Sequence, residues 1–295
     1  MQSPDESKID PESSRVANDQ SNLLGRLLVD QGRIKETDIE SILKYAREKR
    51  VRFGEAATKL QLISSRDLDH AMSAQFEYPY FEKGAGGYSS ELIAAFDPFS
   101  PKGQALRILR AQLLLRWHSD GRRTLAVVGC HNRDGCSYIA ANLAIVFSQL
   151  GQRTLLVDAD LQQARQHKLF GVKNDVGLSA LLVGRASLES VVKELPLFRA
   201  LSILPAGAPP PNPGELMGRK ELADMIPKLR DQYDVVIFDS PAGSANLGVE
   251  IVAGACGSAL LVLRKNHSYL SDANALIQAV RSAGAEVVGS VITDF

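Results

Sequence analysis

Beyond Arg123 the chain alternates short, almost continuously apolar runs with longer stretches of helical period. The runs are Thr124–Gly129, Thr154–Asp158, Leu201–Leu204, Val235–Asp239, Ala259–Leu263 and Val287–Ile292. Strands covered by helices on both faces read this way, because neither face of the sheet meets water. The pattern predicts a doubly wound, mostly parallel α/β domain with ligands at the carboxyl ends of its strands. The Ser100-Pro101 pair opens its first helix, serine as cap and proline in the first turn.

A different rhythm precedes it. Gly25, Ile34, Asp38, Ile39 and Leu43 are matched 29 residues later by Gly54, Ile63, Asp67, Leu68 and Met72. Each copy reads as a short helix, a turn and an amphipathic helix, the second capped by Ser64 or Ser65. Two such units bury their apolar faces on each other, which predicts a small helical module over 22–80. Residues 1–21 are polar and read as a disordered tail, and the glycine-rich stretch 81–98 reads as a linker to a domain over 99–295.

Composition narrows the function classes. Thirty-four basic residues cancel 34 acidic ones, so no global field recruits nucleic acid or anionic lipid. No apolar run approaches the roughly 20 residues of a membrane span, and nothing near Met1 resembles a signal peptide. Three scattered cysteines make no disulfide framework, so the expected compartment is the cytoplasm.

The candidate chemistry sits after the strands. Residues 130–137, Cys-His-Asn-Arg-Asp-Gly-Cys-Ser, link the first strand to a helix over Ser137–Leu150. Gly135 can take the positive φ that turns amides inward as a phosphate nest, with the Ser137 hydroxyl at the same helix start. Asp158, Asp160 and Asp239 end two further strands, and such carboxylates beside a phosphate nest suit Mg²⁺. Taken alone, each feature is an ordinary turn or cap; their order on one parallel sheet is what points to a nucleotide. Cys130, His131 and Cys136 offer a metal or redox reading, but with only three ligands in one loop and no fourth nearby.

The segments Ala140–Ala144, Leu155–Leu161, Pro205–Gly207, Pro210–Leu216 and Val236–Pro241, in this order, resemble the bacterial tyrosine autokinases. The similarity is to the chain-length-determinant kinases of exopolysaccharide operons. It implies a P-loop NTPase of the MinD-like (SIMIBI) class, binding ATP and Mg²⁺. It also implies that Ser137, Asp158 and Asp239 hold the metal and that Asp158 and Asp160 are catalytic. Arg133, Asp134, Gly135, Cys136, Ser137, Tyr138 and Thr293 then contact the nucleotide. The implied activator is a membrane polysaccharide co-polymerase, which would keep the chain peripheral at the inner membrane. Arg107 and Arg110, three apart on the 100–118 helix, become a homo-oligomer interface.

The chain departs from that family where charge matters. The Walker lysine is Cys136, the basic residue after the second aspartate is Gln162, and Gln104 and Thr293 replace a carboxylate and an asparagine. A C-terminal tyrosine cluster is absent before Phe295. These departures favour a degenerate kinase over an active autokinase, which stays open as the alternative; a cargo-positioning ATPase of the MinD or ParA sort ranks third. Residues 22–80 resemble the N-terminal module of secretion and pilus ATPases (MshEN). Some of those bind cyclic di-GMP, which marks Arg52, Gly54 and Gln75 as a half-complete site. Packing alone is the favoured role of that module, with a regulatory subunit sensing cyclic di-GMP as the alternative.

Overall fold

The computed structural model describes residues 24–65, 67–68, 71, 81, 85–243 and 247–294. The expectations for the 1–21 tail and for Gln75 lie outside these residues. The chain divides into two units between residues 80 and 81.

In the first unit a helical stretch over 24–30 is followed by α1 (Glu36–Lys49) and α2 (Phe53–Lys59). Leu28, Ile42, Phe53, Ala56, Ala57, Ile63 and Ala71 form its core. The 29-residue repeat is visible in the contacts. Asp38 Oδ2 accepts from the Lys35 N–H at 2.8 Å, and Asp67 Oδ2 accepts from the Ser64 N–H at 3.0 Å. A Cβ on Gly25 would stand 3.6 Å from Ile39, and one on Gly54 would stand 2.4 Å from Leu68. Gly54 therefore lets Leu68 of its own copy approach closely, whereas the nearest atom to a Cβ on Gly25, at 3.3 Å, belongs to Phe53 of the second copy. Ser64, rather than Ser65, supplies the cap, accepting from the Asp67 N–H.

The second unit holds a seven-stranded sheet in the order β3-β4-β2-β5-β1-β6-β7. Its strands are β1 (Thr124–Gly129), β2 (Thr154–Asp158), β3 (Lys193–Glu194), β4 (Leu201–Leu204), β5 (Val235–Asp239), β6 (Ser258–Arg264) and β7 (Glu286–Thr293). Every pairing is parallel except β3 with β4. The short, antiparallel edge strand β3 carries no apolar run, which is why the hydrophobic pattern did not announce it. Along β1 the side chains alternate between two cores, Leu125 and Val127 in one, Ala126 and Val128 in the other. This is the doubly wound α/β arrangement expected from the apolar runs.

The helices that bear on the site are α3 (Ile93–Phe96), α4 (Pro101–Arg116), α5 (Cys136–Ser148), α6 (Gln166–Leu169), α7 (Lys220–Gln232), α8 (Leu247–Cys256) and α9 (Leu270–Ser282). Ser100 caps α4 by accepting from the Gly103 N–H at 3.1 Å, as its sequence signature required. All residues of α5 are buried apart from Ser137 and Tyr138 at its start. A helix apolar on every side needs cover on every side. Part of that cover is the stretch expected to be a linker. Tyr88, Leu92, Ala94, Ala95 and Phe96 are buried in the same core as α5. The fully buried Asn142 fastens this stretch, accepting from the Ala94 N–H at 2.9 Å and donating to Glu91 O at 3.0 Å. Its glycines shape turns, but its apolar residues have a core to enter, so its described residues are domain rather than linker.

Candidate functional site

β1 ends at Gly129, and the chain turns through residues 130–135 into α5. Arg133 (φ 73°) and Gly135 (φ 103°) both take left-handed backbone. Only the second is glycine, so the loop needs outside support to hold the first. Asp134 between them supplies it. This fully buried carboxylate accepts from the His131 N–H at 2.8 Å and from the Ser268 hydroxyl at 2.9 Å. Thr293 at the end of β7 donates its hydroxyl to Asp134 O at 2.7 Å. Thr293, expected to meet the nucleotide, is thus buried and engaged on the loop's backbone. Asp134 likewise braces the loop from beneath.

Cys136 turns inward. A Cβ on Gly129 would stand 2.4 Å from its Sγ, so the thiol lies against the last residue of β1. Burial, then the carboxylates of Asp239 and Asp134, push this thiol well above its ordinary range. It is neutral and offers a phosphate no charge. Cys130 packs in the other core and burial pushes its thiol up to about 11. The Cys130, His131 and Cys136 side chains therefore do not converge on one ion. Tyr138 packs against the α5 core, where burial and then the Glu91 charge raise its phenol.

The carboxylate side of the site is better preserved. Asp158 and Asp239 end adjacent parallel strands and stand opposite each other in register. Asp158 Oδ2 accepts from the backbone N–H of Arg165 at 3.0 Å and of Gln166 at 2.9 Å, capping α6. Gln166, fully buried, donates to Asp239 Oδ2 at 2.8 Å and to Ser137 O at 3.0 Å. At this site three buried oxygens have no hydrogen-bond partner among the described residues: Asp158 Oδ1, Asp239 Oδ1 and Gln166 Oε1. Burial, then the neighbouring Asp239 charge, drive the Asp158 carboxyl well above the usual range. Burial lifts Asp239 to about 7, against the hydrogen bonds from Gln166 and Ser137.

One buried oxygen on each carboxylate and an amide oxygen, left without donors among the described residues, are costly unless a cation or protons compensate them. An all-oxygen donor set with a nearby serine hydroxyl fits Mg²⁺. Asp160 Oδ1 accepts from the backbone N–H groups of Gln162 and Gln163, and the Asp160 charge also raises Asp158 and Asp239. Gln166 was missed by sequence reasoning. The signal available was a polar residue opening a helix eight positions after Asp158, too common a pattern to single out.

Three guanidinium groups border the site. Arg133 is exposed on the loop. Arg264, at the end of β6, donates to Arg133 O at 3.4 Å. Arg165 pairs with Glu91 at 2.5 Å. Arg107 and Arg110 are engaged within their own chain. Arg107 donates to Pro98 O, and Arg110 donates to Val146 O at 2.7 Å. In the first unit Arg52 is exposed and the buried Gly54 is explained by Leu68 packing on it. Nothing among the described residues there favours a nucleotide.

The family model described as AAA domain matches residues 134–286, just over half of the chain. The tyrosine-protein kinase Wzc of Salmonella typhi is 30% identical over 211 residues, 71% of this chain and 29% of that protein. The tyrosine-protein kinase Etk of Escherichia coli K12 is 29% identical over 200 residues, 68% of this chain and 27% of that protein. The chain thus spans less than a third of the length of these curated relatives. The kinase domain of Escherichia coli Etk superposes with a TM-score of 0.66 at 28% identity, covering 69% of this chain and 79% of that one. The septum site-determining protein MinD of Pyrococcus horikoshii, complexed with Mg-ADP, gives 0.52 at 27% identity, covering 58% and 70%.

Proposed function

We propose, from the premise that the chain belongs to the bacterial tyrosine-kinase family of P-loop proteins, that it is a kinase-like regulator in exopolysaccharide export with weakened phosphoryl transfer. The observation that carries this reading is Cys136, a buried neutral thiol where the family places the lysine that neutralises the β- and γ-phosphates. Losing one charge-assisted hydrogen bond costs about 1.5–3 kcal/mol, or roughly one to two decades in affinity. The loss weighs more on catalysis, because phosphoryl transfer depends on neutralising charge in the transition state.

Ser137, Asp158 and Asp239 are the residues that would hold Mg²⁺, with Gln166 fixing Asp239 from the side. Mg-ATP, when bound, supplies the phosphoryl group and the charge its transfer requires. The residues of the chain contribute orientation: Asp134 and Thr293 hold the loop, and α6 holds Asp158. The partner in this reading is a membrane polysaccharide co-polymerase at the cytoplasmic face. No helix among the described residues is long and apolar enough to cross a membrane. The 100–118 helix is a candidate self-contact through Ile108 and Leu115, both strongly exposed and seven residues apart on α4. The first unit is proposed as a docking module built by packing.

A second reading, an active autokinase, draws on the oxygen cradle and on Arg133 and Arg264 as substitute cations. Calorimetry of Mg-ATP binding to the wild type and Cys136→Lys separates the two. Silence in the wild type and binding in the variant support the regulator. Micromolar binding by the wild type, with tyrosine phosphorylation that Asp158→Ala abolishes, would overturn it.

A further inference from the structure

The loop that lost its lysine contains a histidine whose surroundings the nucleotide does not explain. His131 Nε2 lies 3.0 Å from Asp272 Oδ2 on α9. Its Nδ1 is buried, has no hydrogen-bond partner among the described residues and lies 4.0 Å from Asp134 Oδ2. A neutral imidazole carries one donor and one acceptor. The bond to Asp272 puts the hydrogen on Nε2 and leaves the Nδ1 lone pair facing a buried carboxylate. Two acceptors that face each other across a buried gap are satisfied by a proton on the imidazole or by a metal ion between them.

A third donor completes the group. The His267 ring stacks on His131 with centroids 5.6 Å apart and planes 21° from parallel. Ligand atoms of His131, Asp134 and His267 all lie within 4.8 Å of one another. We infer that these three side chains form a site for one divalent transition-metal ion of the zinc class. Asp272 orients His131 from behind. Two imidazoles and a carboxylate are the donor set of such ions, and the carboxylate–histidine–metal relay is their usual outer shell. Four-coordinate zinc with bonds near 2.1 Å spaces its ligand atoms roughly 3.4 Å apart. The 4.0 Å separation of Nδ1 and Oδ2 exceeds that spacing, so binding requires the His131 ring to turn towards Asp134, whose carboxylate is held by the His131 N–H and Ser268.

The ion ties the phosphate loop to the turn after β6, where Ser268 already bonds Asp134. Metal occupancy thereby sets how rigidly the loop presents its amides. The inference stands independently of the kinase-like reading, because it uses neither Asp158 nor Asp239.

The test uses the full chain, stripped of metal and free of nucleotide, titrated with Co²⁺ and then Zn²⁺. One ion per chain is expected, with visible cobalt bands and no thiolate charge-transfer band. Excess Mg²⁺ should not displace it. His267→Ala should weaken binding at least about tenfold and Asp272→Asn by about 10–100-fold. His267→Asn serves where the alanine variant folds poorly by circular dichroism. Absence of binding, displacement by Mg²⁺, or unchanged affinity in folded His267 variants would falsify the site. His131 would then be no more than an ion-paired loop anchor.

Discussion

The phosphate loop and the carboxylate pair lie at the same edge of one sheet, yet they have fared differently. Most of the loop is satisfied by protein partners: Asp134 by His131 and Ser268, the Asp134 carbonyl by Thr293, and Cys136 by packing on Gly129, with His131 Nδ1 the exception among the described residues. The carboxylate pair is not, since Asp158, Asp239 and Gln166 each keep a buried oxygen without a donor among the described residues. A self-satisfied loop has less need of an anion, whereas an unsatisfied pair still needs a cation. The two halves of a nucleotide site therefore need not change together, because phosphate and metal are recognised by opposite charges on different strands.

The largest effect that would break this contrast comes from restoring charge to the loop. Cys136→Lys is expected to raise Mg-ATP affinity by about 10–100-fold in calorimetry. If the affinity does not move, the loop is closed to phosphate for a reason other than charge.

Next in size is the cost stored in the pair. Asp239→Asn removes a buried charge while keeping its shape, and should raise the metal-free melting temperature by roughly 4–8 °C, about 2 kcal/mol. A lower melting temperature would show that the carboxylate is compensated in a way the described contacts miss. The same residue sets a pH dependence. Folded Asp239 holds its proton up to about pH 7, whereas an unfolded aspartate releases it near ~4. The folded chain carries the extra proton in that window, so metal-free stability should fall as pH rises from about 4 to about 7. Mg²⁺ should recover the loss at pH 8 and do little at pH 5, as thermal melts would show.

The smallest effect sharpens the loop side. Thr293→Val removes the hydroxyl that holds Asp134 O and should cost about 0.5–1.5 kcal/mol in denaturant unfolding, without moving Mg²⁺ affinity. A change in Mg²⁺ affinity would mean that loop and cradle act as one unit.

Much of this was legible in the chain. Six apolar runs became six parallel strands because burial on both faces leaves little choice of residue. The 29-residue repeat, the Ser100 cap and the strand-end aspartates were equally visible, since each rests on local spacing. What the chain hid depended on distant partners. The 81–98 stretch reads as a linker until Asn142, about 50 residues away, accepts its backbone. Thr293 reads as a nucleotide contact until Asp134, 159 residues away, takes its hydroxyl.

The sequence by itself determined the two-unit order, the sheet and the cysteine at position 136, because periodicity and residue identity are local properties. Tertiary structure alone decided that Cys136 lies inward, that Gln166 joins the carboxylates and that His131 meets His267 and Asp272. Those facts concern which side chains share a small volume. That is fixed by how strands and helices stack, not by spacing along the chain.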